Sequence, residues 1–228
     1  MVPRGVADNI TKKQHKRIGY TKILGIGSYR TAWALLHKLR VAMVRPGRDK
    51  LKGTIEVDEC FIGGKQSGSK RGRGTENKSL IAVAVEIEKN RVGRVRFGLI
   101  KDASAASLEG FIEKTAEKGA TIITDGWKGY SRVKEMGFIH KVDEKEYMNK
   151  DKLLPHVHLV ISLLKRWIMG TLQGSVSEQH LEYYLDEYTF RFNRRTSGSR
   201  GKLFYRLLEQ AVDIDTMTYD DICKRKGA

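Results

Sequence analysis

Apolar residues recur along this chain with two periods, and each marks a different kind of element. From Tyr29 to Met43, the residues Ala32, Leu35, Leu36, Leu39 and Met43 fall three and four apart, which predicts an amphipathic helix. Ser28 precedes it as a side chain able to accept a backbone N–H at the helix start. Val44–Gly53 breaks the pattern with Pro, Gly and charges and no period. Strand patterns follow at Thr54–Ile62, Leu80–Glu88 and Arg91–Ile100, the last two joined at Lys89-Asn90. Ser107–Lys118 returns to helical spacing through Leu108, Phe111, Ile112 and Thr115. Ala120–Thr124 reads as a short buried strand and Phe138–Val142 as a weaker fifth. Helical spacing then dominates at His156–Gly170, Ser177–Asn193 and Lys202–Val212, before a charged tail.

Three antiparallel strands followed by alternating helix and strand predict an α/β fold, a mixed sheet with helices on its faces. This is the element order of the RNase H-like fold. The expected organisation is a disordered basic segment over residues 1–17, a helical DNA-binding segment over 18–46 and a linker over 47–53. A catalytic domain over 54–213 and a tail over 214–228 complete it.

Charge narrows the partner. Lys and Arg number 43 against 27 Asp and Glu, a formal net charge of +16. Self-repulsion on that scale disfavours the compact state unless a polyanion is near, and nucleic acid is the usual one. A uniformly solvated basic surface is the alternative. The cations cluster at Lys12–Arg17, Arg45–Lys52, Lys65–Arg73, Lys165–Arg166 and Arg191–Lys202. Candidate DNA contacts are Lys65, Lys70, Arg71 and Arg73 in a Gly- and Ser-rich loop, with Lys165, Arg166, Arg191, Arg194 and Arg195 on helices. Gly25-Ile26-Gly27-Ser28 between two helical patterns suggests either a helix-turn-helix or an ordinary helical hairpin. In the first reading Tyr29, Arg30 and Thr31 occupy the turn that meets base edges. No apolar run approaches the ~20 residues of a membrane span, and Met1–Arg17 lacks an apolar leader segment, so a cytoplasmic, nucleoid-associated protein is expected. Two cysteines, Cys60 and Cys223, exclude a four-cysteine zinc site.

Two acids stand at predicted strand ends, Asp58 on the first strand and Asp125 after the fourth. In an RNase H-like sheet those strands are neighbours, ~4.8 Å apart. Two carboxylates at that separation repel unless a cation lies between them. Mg²⁺ meets that need, with phosphate oxygens and waters as further ligands. Trp127 and Tyr130, close behind Asp125, suit either packing over the sheet end or stacking on a base.

The blocks Asp58-Glu59, Phe61-Ile62-Gly63-Gly64, TDGWKGY at 124–130, SLLKRW, GTLQG and HLEYYLDEYTFRFNRR at 180–195 resemble the DDE transposases of bacterial insertion sequences, in their ISXO-like branch. The segment at 24–43 is similar to the helix-turn-helix of that branch. The resemblance implies an RNase H-like enzyme that binds element ends as a homodimer or higher synaptic oligomer. It implies metal-dependent cleavage of double-stranded DNA and strand transfer, with two Mg²⁺ or Mn²⁺ ions. The zinc ribbon usual at the start of that branch has no counterpart, since no cysteine precedes Cys60, so an N-terminally truncated member is expected. The third metal ligand is normally an acid placed before a helix lysine. Here that lysine is Lys165 and the position holds His158. His158 is thus a substitute ligand, a phosphate or water contact, or a capping histidine, and Lys165 a phosphate contact. Without a third acid, the alternative is a catalytically inactive DNA-binding remnant.

Overall fold

The computed structural model describes residues 25–45, 47–63, 78–143, 153–172 and 176–224. Its contacts divide the chain into two compact units. The larger, from Val44 to Arg200, is built on a five-stranded sheet of order β3-β2-β1-β4-β5. The strands are β1 (Thr54–Ile62), β2 (Ser79–Glu88), β3 (Arg91–Ile100), β4 (Thr121–Thr124) and β5 (Ile139–Val142). β1, β2 and β3 run antiparallel in sequence, while β4 pairs parallel to both β1 and β5. This is the RNase H-like arrangement that the element order predicts. The β2–β3 turn places Lys89 and Asn90 at positive φ, the conformation a two-residue hairpin demands.

Two helical layers cover the sheet. Helix α2 (Ala105–Thr115) packs Leu108, Phe111 and Ile112 over Ile55, Val57 and Ile122. Helices α3 (Pro155–Leu172) and α4 (Glu178–Asn193) pack Val157, Val160, Leu164, Leu181, Leu185 and Tyr188 over Cys60, Ile81, Val83 and Val85. Side chains alternate across a strand. Ile55, Val57 and Glu59 therefore face α2, while Glu56, Asp58 and Cys60 face α3.

Three boundaries differ from expectation. The stretch 47–53 is stitched into the larger unit instead of linking freely: Leu51 is fully buried and pairs with Ala116. Its N–H donates to the Thr115 carbonyl, and its carbonyl accepts from Glu117. One apolar side chain among charges anchors the segment, and no periodicity signals it. The same pairing draws Ala116 into extended conformation, so the helix expected over 107–118 ends at Thr115.

The smaller unit holds α1 (Tyr29–Ala42), α5 (Arg200–Val212) and α6 (Tyr219–Lys224). The division falls after Arg200, so the helix over 202–212, expected within the catalytic domain, groups with α1. Ser28 caps α1 by accepting from the Thr31 N–H. Ile222 is buried, and Trp33 packs edge-on against Tyr219.

Candidate active site

The site forms where β4 ends beside the middle of β1: Asp58, expected at a strand end, is the central residue of β1, because β1 runs on to Ile62 in its pairing with β2. Parallel pairing aligns Thr54 with Thr121, Ile55 with Ile122 and Glu56 with Ile123. Asp58 follows two residues after that ladder on β1, and Asp125 follows directly after β4, near enough for its charge to act on Asp58. Gly126, at φ +82°, turns the chain away after the carboxylate, and Asp125 Oδ1 accepts the Trp127 N–H at 3.0 Å.

Asp58 is half-buried under α3. Its Oδ1 accepts the Glu59 N–H at 2.8 Å, and its Oδ2 lies 3.1 Å from His158 Nε2. Burial raises the Asp58 pKa above the ordinary carboxylate range. The Glu59 N–H and His158 oppose that rise, and the negative charge of Asp125 adds to it. Glu59 points to the other face, where the buried Tyr130 hydroxyl donates to it at 2.6 Å. Its pKa is also raised, first by burial, with contributions from Asp58 and Asp125. Asp58 and Glu59 thus both respond to the charge of Asp125.

Sequence reasoning does not identify the residue that seats α3. Glu56 is only 4% exposed. Its Oε2 accepts the N–H groups of His156 and Val157, each at 2.8 Å, and its Oε1 meets His156 Nδ1 at 2.7 Å. Asp143 accepts the Leu154 N–H at 3.1 Å. Two acids from distant segments therefore satisfy the free donors of the α3 N-terminus and complement its dipole. Leu154, just before Pro155, is buried at φ +46°, a costly conformation for a branched residue that this seating sustains. The one visible signal was an acid at an inward position of an apolar strand.

Lys165 lies further along α3, exposed, and its charge reaches Cys60 on the Asp58 face of β1. There it opposes the burial that pushes the Cys60 thiol up to about 12. Arg166 is exposed beside it. The cations at the end of α4 have partners within the chain. Arg191 pairs with Glu187 at 3.1 Å, and Arg194 stacks on Phe190. Arg195 stacks on Phe192 and donates to the carbonyls of Val92, Gly93 and Phe192. Asn193 accepts the Val95 N–H at 2.7 Å and donates to the Val95 carbonyl at 3.1 Å, pairing with edge strand β3. In the smaller unit Tyr29 is exposed and Arg30 lies over the Tyr219 ring. Lys65, Lys70, Arg71 and Arg73 lie outside the described residues, as does the first helix of the expected helix-turn-helix.

The acids fit a hard divalent cation as a pair. They are oxygen-bearing, and a cation would offset the burial and the Asp125 charge that together raise the Asp58 pKa. They do not form a triad: among the described residues, no three His, Cys, Asp or Glu side chains group as metal ligands. No helix among the described residues is long and apolar enough to cross a membrane.

No curated protein matches the chain. Among solved structures, it is similar to the Mos1 transposase paired-end complex with left transposon end, at 12% identity and TM-score 0.39, over 82% of this chain and 60% of that one. A pre-cleavage Mos1 transpososome matches at 14% identity and TM-score 0.36, over 81% and 64%. A simian T-cell lymphotropic virus intasome bound to the PP2A regulatory subunit B56 gamma matches at 12% and 0.37, over 90% and 66%. The chain spans just under two thirds of the length of each of these solved chains. The ISXO2-like transposase domain matches residues 50–193, which takes in every strand of the sheet, both acids and the helices α2 to α4, and the chain belongs to that family.

Proposed function

We propose that the protein is a DNA transposase that frees a 3′ hydroxyl at element ends and joins it to target DNA, with Asp58 and Asp125 at the reactive centre. The observation that carries this reading is the pair of carboxylates on β1 and just after its parallel neighbour β4, close enough to act on each other's charge, with His158 bonded to one of them. A divalent cation bound there, Mg²⁺ or Mn²⁺, would neutralise phosphate charge and lower the pKa of an attacking water or hydroxyl. Asp58 and Asp125 would hold it through hard oxygens.

His158 fixes the orientation of Asp58. An Nε2 that donates to a carboxylate has no lone pair to give, so this hydrogen bond and metal ligation through the same nitrogen exclude one another. Lys165, on the same helix and exposed, attracts the DNA backbone as a point charge. The exposed first turn of α1, with Tyr29, Arg30 and Thr31, is the base-reading element of the DNA-binding segment, and the basic 65–73 loop adds phosphate contacts. In cleavage, a water oxygen bonds to phosphorus and the phosphorus–O3′ bond breaks, leaving a 3′ hydroxyl and a 5′ phosphate. In joining, that hydroxyl attacks a target phosphodiester and displaces its O3′, so the number of ester bonds is conserved and no covalent enzyme intermediate is required. Pairing two ends calls for two or more copies of the chain.

One observation favours a second reading, an inactive DNA-binding remnant: the place of the third acid holds an imidazole already engaged by Asp58. A cleavage and strand-transfer assay with element-end duplexes, in Mg²⁺ and in Mn²⁺, separates the two. Cleavage by the parent, lost in Asp58→Asn and Asp125→Asn, supports the enzyme. An inactive parent beside an active His158→Glu variant supports the remnant.

A further inference from the structure

We propose that Trp127 is a stacking platform for an unpaired nucleobase next to the acid pair. This rests on the reading of DNA as substrate. Trp33 and Trp167 pack their rings on neighbours, on His37 with centroids 4.2 Å apart and on Tyr188 with centroids 5.4 Å apart. Trp127 is 49% exposed, and among the described residues no ring packs on it. An exposed indole ordinarily swings between rotamers, but this one is pinned. Its backbone N–H is bonded to Asp125 and its Nε1 donates to the Ala103 carbonyl at 3.0 Å. Gly129 is required for that arrangement, because a Cβ there would lie 2.8 Å from the indole Nε1 and 2.9 Å from the Ala103 oxygen. A second aromatic, Phe61, is 46% exposed at the same end of the sheet.

The chain therefore holds a large apolar ring half in water, at a set angle, two residues from a reactive carboxylate. The complement to such a surface is a flat π-system linked to a group that the neighbouring site binds, and a nucleotide with its phosphate at the acids has that form. A base within a duplex has both faces covered by its neighbours, so the platform selects a base that is unpaired or extruded near the reacting phosphate. The ordering cost of the ring is already met in the free protein, which favours binding.

The test uses the full chain and two single-stranded probes of about a dozen nucleotides, oligothymidylate and an abasic oligomer with the same phosphates. The parent is expected to bind oligothymidylate about tenfold or more tightly than the abasic probe, as stacking energies per base imply. Its tryptophan emission should be quenched by oligothymidylate alone. Trp127→Ala should lower oligothymidylate affinity by that factor and leave abasic affinity unchanged, with Trp127→Phe between. Equal affinity of the parent for both probes overturns the proposal without any variant, and if the parent also cleaves DNA, the transposase reading survives. If neither probe binds, the platform proposal fails, and the duplex cleavage assay decides the transposase reading by itself.

Discussion

Asp58 with His158, and Asn193 with its flanking arginines, are two polar knots in the larger unit, and they use their polarity in opposite ways. Asn193 spends both ends of its amide on the backbone of Val95, and Arg195 ties the carbonyls of Val92 and Gly93. These contacts seat α4 and close an edge strand that would otherwise present unpaired groups. Asp58 is placed against burial and against Asp125, and its pKa rises as a result. A polar side chain whose bonds all run to backbone is architecture. One held where its own charge is disfavoured is a site awaiting a counter-charge.

Asp58→Asn gives the largest contrast between the two knots. Cleavage should fall to assay background while Tm rises. The sign follows from the raised pKa. As pH climbs from the ordinary carboxylate range to the native pKa, the unfolded state releases its proton first, so stability falls across that window and stays reduced above it. Asparagine removes that penalty. Mg²⁺ should raise the Tm of the parent and not of the variant, as thermal melts will show. An unchanged or lowered Tm would make Asp58 a structural residue like Asn193.

Glu56→Ala tests the link between architecture and site. It strips a buried acceptor from two N–H groups and should cost about 2–3 kcal/mol in urea unfolding. Cleavage should drop with it, because His158 loses its seat. Glu56→Gln, which keeps one oxygen, should recover much of the stability.

Asn193→Ala should cost about 1–2 kcal/mol, from two lost bonds to the edge strand. Cleavage per folded molecule should be retained. Arg191→Ala, which removes an exposed arginine from a pair one helical turn apart, should change stability by less than about 1 kcal/mol. A large fall in DNA affinity for Arg191→Ala with intact stability would move the end of α4 into the DNA-binding surface and erase the contrast.

Much of the fold was legible in the sequence. Thr54–Ile62 and Arg91–Ile100 form strands with the bounds their patterns predict, and Ser28 caps the helix it precedes. The acids were legible too, since each follows a short apolar run. Leu51, Glu56 and the partners of the α4 arginines were not. A lone leucine among charges has no period, and an acid inside an apolar strand shows that something must meet it without showing what.

The sequence by itself determined the elements and their order, because periodicity and capping are written within a few residues of each other. Tertiary structure alone decided what each polar group meets. Asp58 reaches His158 and Glu56 reaches His156 across 100 residues, and Asn193 reaches Val95 across 98. A hydrogen bond depends on placement within a few tenths of an ångström. Only the packed sheet, with its register and its two helical layers, supplies that placement at such separations.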